Sequence, residues 1–231
     1  MKENKKVKVG AVIAAGGSSQ RMGGIDKVLA TLGGEPLLVQ ATRAFQKSRL
    51  VNQIVVVVSA GKEKKCRQLV AGKEWSKVSN VCLGGERRQD SVAVGLARLK
   101  QCDWVIIHDA ARPLVTVDLI ERGLEAAKET GAAVAAVPVT DTIKVAGDDR
   151  LVRETPPRHN LWAVQTPQVF RFDIIDEAYH QTKSEVTDDA TLVEQLGYKV
   201  KLYMGSHDNI KVTTPDDLAL AEWLLYHSQE H

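Results

Sequence analysis

The sequence predicts an α/β fold: a mainly parallel sheet with helices on both faces. Three observations predict it. Apolar runs of strand length recur at residues 9–15, 53–59, 104–108 and 132–139, with 78–83 a weaker fifth. Helix-length amphipathic stretches separate them. The first run, Val9 to Ala15, lacks polar alternation, as expected of a strand buried on both faces. In chain order, that first strand ends abruptly in Gly16-Gly17. Leu37, Leu38, Ala41, Ala44 and Phe45 then recur at helical spacing. Ile54-Val55-Val56-Val57-Val58 is too β-branched for a comfortable helix. Leu119, Ile120, Gly123, Leu124 and Ala127 form a second helical face, with Thr116 as its N-cap and Asp118 in its first turn. Ligands of such sheets lie outside the carboxyl ends of the strands. Gly16-Gly17, Gly84-Gly85 and His108-Asp109 all fall at such ends.

The pattern breaks after Val139. Residues from 140 to about 160 are polar, and Gly147-Asp148-Asp149 reads as a hairpin turn between strands at 142–145 and 151–154. The expectation is one domain, 1–231, carrying a protruding β-arm at about 140–160. Isolated two-stranded arms are marginal in water, so this one is expected to lie against a second subunit. Residues 162–170 resume the core as a strand. Residues 172–180 and 189–196 read as helices, with Thr187 capping the second, and 199–203 and 209–213 as strands. Thr214-Pro215-Asp216-Asp217 opens a last helix with a cap, an N1 proline and acids at the positive dipole end.

With 231 residues, 44% hydrophobic and 26% charged, the chain has the composition of a globular protein with a sizeable core. A formal net charge of +2 implies neither a nucleic-acid nor a membrane partner. No apolar run reaches the ~18 residues of a membrane span. The basic N-terminus leads straight into the first strand and glycine turn, which is not a signal-peptide layout. Three cysteines, Cys66, Cys82 and Cys102, without a CxxC pair, favour reduced thiols in a cytoplasm.

Chemistry concentrates in five clusters. In the first, Ala14-Ala15-Gly16-Gly17 turns into a loop bearing Arg21 and Lys27, which suits a polyphosphate held by backbone amides and two cations. It is neither GxxxxGK[ST] nor GxGxxG. The second is Gly84-Gly85-Glu86-Arg87-Arg88-Gln89-Asp90-Ser91. Ser91 either contacts a base or caps the next helix, and local sequence favours the cap; Arg87 and Arg88 read as solvated charges. The third, His108-Asp109-Ala110-Ala111-Arg112-Pro113, places an acid at a strand end, where it either helps hold Mg²⁺ or anchors Arg112. His108 reads as a packed histidine. The fourth, Thr166-Pro167-Gln168, reads locally as a turn. In the fifth, Lys211 between Ile210 and Val212 is an edge-strand gatekeeper or a cation aimed into a site, and alone it favours the gatekeeper. Cations outnumber acids among these residues, which points to anionic substrates.

Taken in order, these clusters resemble the 2-C-methyl-D-erythritol 4-phosphate cytidylyltransferases. The resemblance rests on Ala14 to Met22 with Lys27, Gly84 to Val92, His108 to Pro113, Asp141-Thr142, Thr166 to Gln168, Thr187-Asp188 and Asn209 to Thr213, covering nearly the whole chain. It implies a Rossmann-like fold and a Mg²⁺-assisted transfer of CMP from CTP to 2-C-methyl-D-erythritol 4-phosphate, releasing pyrophosphate. By the same resemblance Ala14, Ala15, Gly16 and Gly17 line the nucleotide, while Gly85, Glu86 and Ser91 sit at base or ribose. Arg21, Lys27 and Lys211 gather phosphate charge. Asp109 helps hold Mg²⁺, and Asp109, Arg112, Thr142, Arg158, Thr166 and Thr187 contact the methylerythritol phosphate. The arm is implied to cross to the partner of a homodimer. Position 86 is Glu where Asp is common in the family, so a base or ribose contact is displaced there.

Three other readings compete. Ribitol 5-phosphate cytidylyltransferases tend to have Leu-Ala-Gly-Gly in the first loop and Asp-Ser-Val-Arg-Pro at the acid; Ala14-Ala15-Gly16 and Asp109-Ala110-Ala111-Arg112-Pro113 lean away from them. A non-catalytic nucleotide-binding module usually lacks a catalytic cation, and Arg21, Lys27 and Lys211 are all present. A dehydrogenase lacks its dinucleotide fingerprint here.

Overall fold

The structure is a computed structural model that describes residues 6–16, 29–182 and 184–227. Gly17, Arg21 and Lys27 therefore lie outside the described residues. In chain order the elements are β1 (Val9–Ala15), β2 (Thr31–Leu32), β3 (Glu35–Pro36), α1 (Leu37–Lys47), β4 (Val51–Val58), α2 (Glu63–Ala71), β5 (Val78–Leu83), α3 (Arg88–Leu96), β6 (Trp104–Asp109) and α4 (Val117–Thr130). They continue with β7 (Ala132–Pro138), β8 (Val145–Ala146), β9 (Val152–Glu154), β10 (Trp162–Arg171), α5 (Phe172–Gln181), α6 (Asp189–Gln195), β11 (Lys201–Met204) and α7 (Pro215–His227).

Seven strands form one sheet in the order β11-β7-β10-β6-β1-β4-β5. All pairings are parallel except those of β10, which runs antiparallel to both β6 and β7. Helices cover both faces, as the apolar runs require. Ala11 and Ile13 of β1, with Ile54, Val56 and Val58 of β4, pack on α1, α2 and α4. Val12, Val55 and Val57 pack on the opposite face with α3, α5 and α6. A third cluster joins Ala30, Leu32 and Leu37 to Val212 and Ala221, so α7 is fastened beside the segment that carries Lys211.

The expected caps are realised at two helices. Thr116 Oγ1 accepts the Leu119 N–H at 3.1 Å, and Gly131 closes α4 in the left-handed region at φ 85°. At α7, Thr214 Oγ1 accepts from Asp217 N while Asp217 accepts from the Thr213 and Thr214 amides, a reciprocal cap. Other local readings are corrected. The cap of α6 is Asp188, which accepts from Thr191 N at 3.1 Å, and not Thr187. Residues 209–213 form no strand: Ile210 and Val212 enter the third cluster, and the Val212 amide donates to Ala111 O at 2.8 Å. The hairpin at β8–β9 is present but shorter than expected, and both strands are exposed along their length.

Candidate functional site

The site is built at the carboxyl ends of β1 and β6. These strands are neighbours, with Ala14 opposite Asp109, and the chain beyond is pinned by the Ala110 amide donating to Ala14 O at 2.9 Å. Asp109 is 7% exposed. Its Oδ1 meets Arg88 Nε at 2.9 Å, and its Oδ2 meets Lys211 Nζ at 2.7 Å. Burial alone would raise its pKa, but the Arg88 and Lys211 charges prevail and hold the carboxyl well below the usual carboxylate range. Arg88 also reaches Asp189 of α6, Nη2 to Oδ2 at 2.8 Å, and Asp189 accepts the Tyr179 hydroxyl at 2.6 Å.

Arg88 thus corrects the reading of a solvated charge; only Arg87 fits that description, lying exposed and bound to Asp90. The signal that identifies Arg88 was present. It precedes Ser91 by three residues and Val92 by four, and both face the core, so Arg88 shares the inward face of α3. Lys211 is likewise no edge-strand gatekeeper, because residue 211 is in no strand and its ammonium reaches Asp109.

Ser91 lies inside α3, and Arg87 holds the cap position, so Ser91 does not cap the helix. Its hydroxyl donates to Gly85 O at 3.4 Å and sits where side chains at two glycines would go. A Cβ at Gly84 would stand 2.3 Å from Ser91 Oγ, and one at Gly16 would stand 2.9 Å away. The two glycine loops therefore converge on one serine, which their lack of side chains permits. Between them opens a cleft of about 460 Å³ lined by Gly16, Ala60, Lys62, Gly84, Gly85 and Glu86.

Beneath Asp109, the Asp109 N–H donates to Thr166 Oγ1 at 3.1 Å; the Arg112 carbonyl at the other ring nitrogen of His108 can only accept, so in the neutral ring Nδ1 is unprotonated and accepts the Thr166 hydroxyl at 3.0 Å. The remaining ring proton belongs on Nε2, which donates to Arg112 O at 3.0 Å. The histidine is packed, as expected, and it fixes the backbone on both sides of Asp109. Burial pushes its pKa down to about 4, the hydrogen bond to Arg112 O opposing. Its unfolded value is about 6.5, so the unfolded chain binds more protons below that pH. Stability from His108 is complete above about pH 6.5 and is lost as pH falls toward 4, by on the order of 3 kcal/mol. Urea unfolding between pH 7 and 4.5 should show this slope in the wild type and a shallower one in His108→Gln; an unchanged slope in the variant would refute the assignment.

Arg112 donates from Nη1 to Asn209 O at 2.7 Å, while its buried Nε has no hydrogen-bond partner among the described residues. Asn209, 1% exposed, donates to Gln165 Oε1 at 3.1 Å and Thr166 O at 2.8 Å. These bonds clamp the Lys211 segment to β10. Thr187 is exposed immediately before Asp188 and Asp189. Thr142 and Arg158 lie on the exposed arm region, where Arg158 donates to Thr140 O at 2.9 Å. The structure thus brings Ala14, Ala15, Gly16, Gly85, Glu86 and Ser91 to one side of Asp109, and Arg112, Thr166 and Lys211 around it. Among the described residues, Thr142 and Arg158 do not join that cluster. Among the described residues there is also no group of three His, Cys, Asp or Glu able to hold a metal by itself, and no helix long and apolar enough to cross a membrane.

Residues 9–227 match the family model described as 2-C-methyl-D-erythritol 4-phosphate cytidylyltransferase. A protein of that name from Dehalococcoides mccartyi is 53% identical over 218 residues, spanning 94% of this chain and 96% of the relative. Another from Alkaliphilus oremlandii is 44% identical over 224 residues, covering 94% of this chain and 95% of its own length. Among solved structures, the 2-C-methyl-D-erythritol 4-phosphate cytidylyltransferase of Thermus thermophilus is 34% identical with a TM-score of 0.77, covering 95% of this chain and all (100%) of its own. The 4-diphosphocytidyl-2C-methyl-D-erythritol synthase of Anaerococcus prevotii has a TM-score of 0.85 at 27% identity, covering 96% and 99% of the two chains. With the family model spanning the sheet, both glycine loops and the Asp109 centre, the chain belongs to the 2-C-methyl-D-erythritol 4-phosphate cytidylyltransferase family.

Proposed function

We propose that the chain transfers the CMP moiety of CTP to 2-C-methyl-D-erythritol 4-phosphate in isoprenoid precursor biosynthesis. The observation that carries this reading is the match of residues 9–227 to that family, and the chemistry of the site agrees with it. A phosphate oxygen of the substrate attacks the α-phosphorus of CTP in line; the bond to the β-phosphate breaks and pyrophosphate leaves. A phosphate is already a nucleophile at neutral pH, so no general base is needed. The buried, low-pKa His108, with both ring nitrogens engaged, fits that requirement. Rate then derives from positioning and charge stabilisation.

In this reading Ala14, Ala15, Gly16, Gly17, Gly85, Glu86 and Ser91 line the nucleotide. Arg21, Lys27 and Lys211 take up charge from the phosphates. Asp109, Arg112, Thr142, Arg158, Thr166 and Thr187 contact the methylerythritol phosphate, the arm residues from a partner subunit. Exposed Val145, Leu151 and Val152 on the hairpin support a homodimer, because such an arm has little core of its own. The rest of the chain is read as one domain, 1–231, with the arm at 140–160. Cys66, Cys82 and Cys102, none of them in a disulfide, support a cytoplasmic location.

Asp109 suits Mg²⁺. It is held ionised, its oxygens are hard donors, and each keeps acceptor capacity beyond its one cation contact. Mg²⁺ is commonly held by one or two carboxylates together with substrate phosphates, and Asp109 would be the protein's contribution. When bound, the ion screens the charge of the triphosphate and stabilises the leaving pyrophosphate.

Pyrophosphate release from CTP, assayed with 2-C-methyl-D-erythritol 4-phosphate and with ribitol 5-phosphate, tests the reading. Release with the first acceptor is expected. Preference for ribitol 5-phosphate would move the chain to the neighbouring activity, and CTP binding without release would make it a binding module.

A further inference from the structure

The geometry points to Arg88 as a positioning residue for the transfer: its guanidinium spans Asp109 and Asp189 and holds Asp109 in place when Lys211 turns toward phosphate. This inference rests on the function proposed above.

The two cations on Asp109 are differently mounted. The Lys211 side chain is 41% exposed and, among the described residues, its ion pair is with Asp109. It is free to exchange that contact for a phosphate oxygen. The Arg88 side chain is 27% exposed and is fixed at its far end to Asp189, whose side chain is 1% exposed. Asp189 is itself held by the Tyr179 hydroxyl of α5. The chain Tyr179–Asp189–Arg88–Asp109 therefore ties the acid to three helices, whereas Lys211 meets the acid from a side chain that is 41% exposed. A planar guanidinium offers two separate N–H directions in a fixed geometry; an ammonium offers a point charge. Nε–H donates to Asp109 Oδ1 at 2.9 Å, while Nη2 pairs with Asp189 Oδ2 as an ion contact at 2.8 Å, so one rigid group spans both acids.

The same turn of α3 also grips the neighbouring segment. Gln89 accepts the Val186 amide at 3.1 Å and donates to Ser184 O at 3.3 Å. Thr187 follows directly, so Arg88 and Gln89 fasten one flank of the substrate side to the acid. Among the described residues, the ion pairs of Arg88 are with Asp109 and Asp189, and it serves the reaction through Asp109.

The test compares Arg88→Gln, Arg88→Lys and the core control Leu124→Ala with the wild type, measuring pyrophosphate release from CTP and 2-C-methyl-D-erythritol 4-phosphate alongside melting temperature. Arg88→Gln should lose ~10–100-fold in kcat, the usual effect of removing a residue that orients a metal-binding or catalytic group, with KM for CTP little changed. Arg88→Lys should recover part of that loss. Leu124→Ala, in the α4 core at the far end of the sheet beside Val9 and Trp104, should lower the melting temperature while keeping kcat. A purely structural role would make kcat follow melting temperature across all three variants, and that result overturns the inference. Should Arg88→Gln not fold, Arg88→Lys decides: reduced kcat supports the spanning guanidinium, and wild-type kcat overturns it. An inactive wild type would instead sink the parent function.

Discussion

Lys211→Ala is expected to lower kcat by ~10²–10³, the loss seen when one preorganised charge-stabilising donor is deleted, or about 2.7–4 kcal/mol at the transition state. The ammonium stands 2.7 Å from Asp109 at the mouth of the strand ends, where phosphates of an incoming nucleotide would concentrate negative charge. Folding should change little. The lysine side is 41% exposed, and the acid's side chain, 10% exposed, keeps its Arg88 partner when Lys211 is removed, so no buried charge is left unpaired. The segment on either side stays anchored by Asn209, Arg112 and the Val212 amide. Steady-state pyrophosphate release and a thermal melt on the same preparation separate the two effects. Wild-type turnover in this variant would return Lys211 to the role of a surface charge. A collapse in melting temperature would make it structural.

The frame of the site was legible in the sequence because its strands advertise themselves locally. β1 and β5 fall where the apolar runs place them, and β4, β6, β7 and β10 differ only at their ends. Thr116 and Thr214 read as caps because the hydroxyl and its amide partner are three residues apart. What escaped local reading was decided by distant chain. The spacing of Arg88 to Ser91 and Val92 marks the inward face of α3, but the partner that holds it there, Asp189, comes about a hundred residues later. Lys211 alternates with Ile210 and Val212 as a strand would, yet those apolar neighbours enter the cluster beneath α7.

Ser91 escaped for a related reason. A serine near a helix start reads as a cap, whereas Arg87 and Asp90 complete that helix start themselves, the Arg87 amide donating to Asp90 at 3.1 Å. Ser91 is thereby released to fill the space left by Gly16 and Gly84. The absence of side chains at those glycines is thus a packing requirement of the two loops, and it brings the nucleotide cleft up against the Asp109 centre.

Asp109→Asn is the most informative replacement at that centre, because binding and turnover should move apart. The amide keeps the shape but removes the charge that compensates Lys211 and part of Arg88. Arg88 retains Asp189 and Lys211 can reach solvent, so the stability loss should stay near the ~1–3 kcal/mol of a compromised buried hydrogen bond, below the ~3–5 kcal/mol of a stranded buried charge. With one negative charge fewer, the site should attract the polyanionic nucleotide at least as well, so KM for CTP should hold or fall. Turnover should drop by ~10²–10³, since an amide oxygen is a poorer partner for Mg²⁺ and the preorganised acid is gone. The Mg²⁺ concentration for half-maximal rate should rise in parallel. If turnover falls with the Mg²⁺ requirement unchanged, Asp109 serves only to place its two cations. If turnover holds, the reaction is organised elsewhere on the chain.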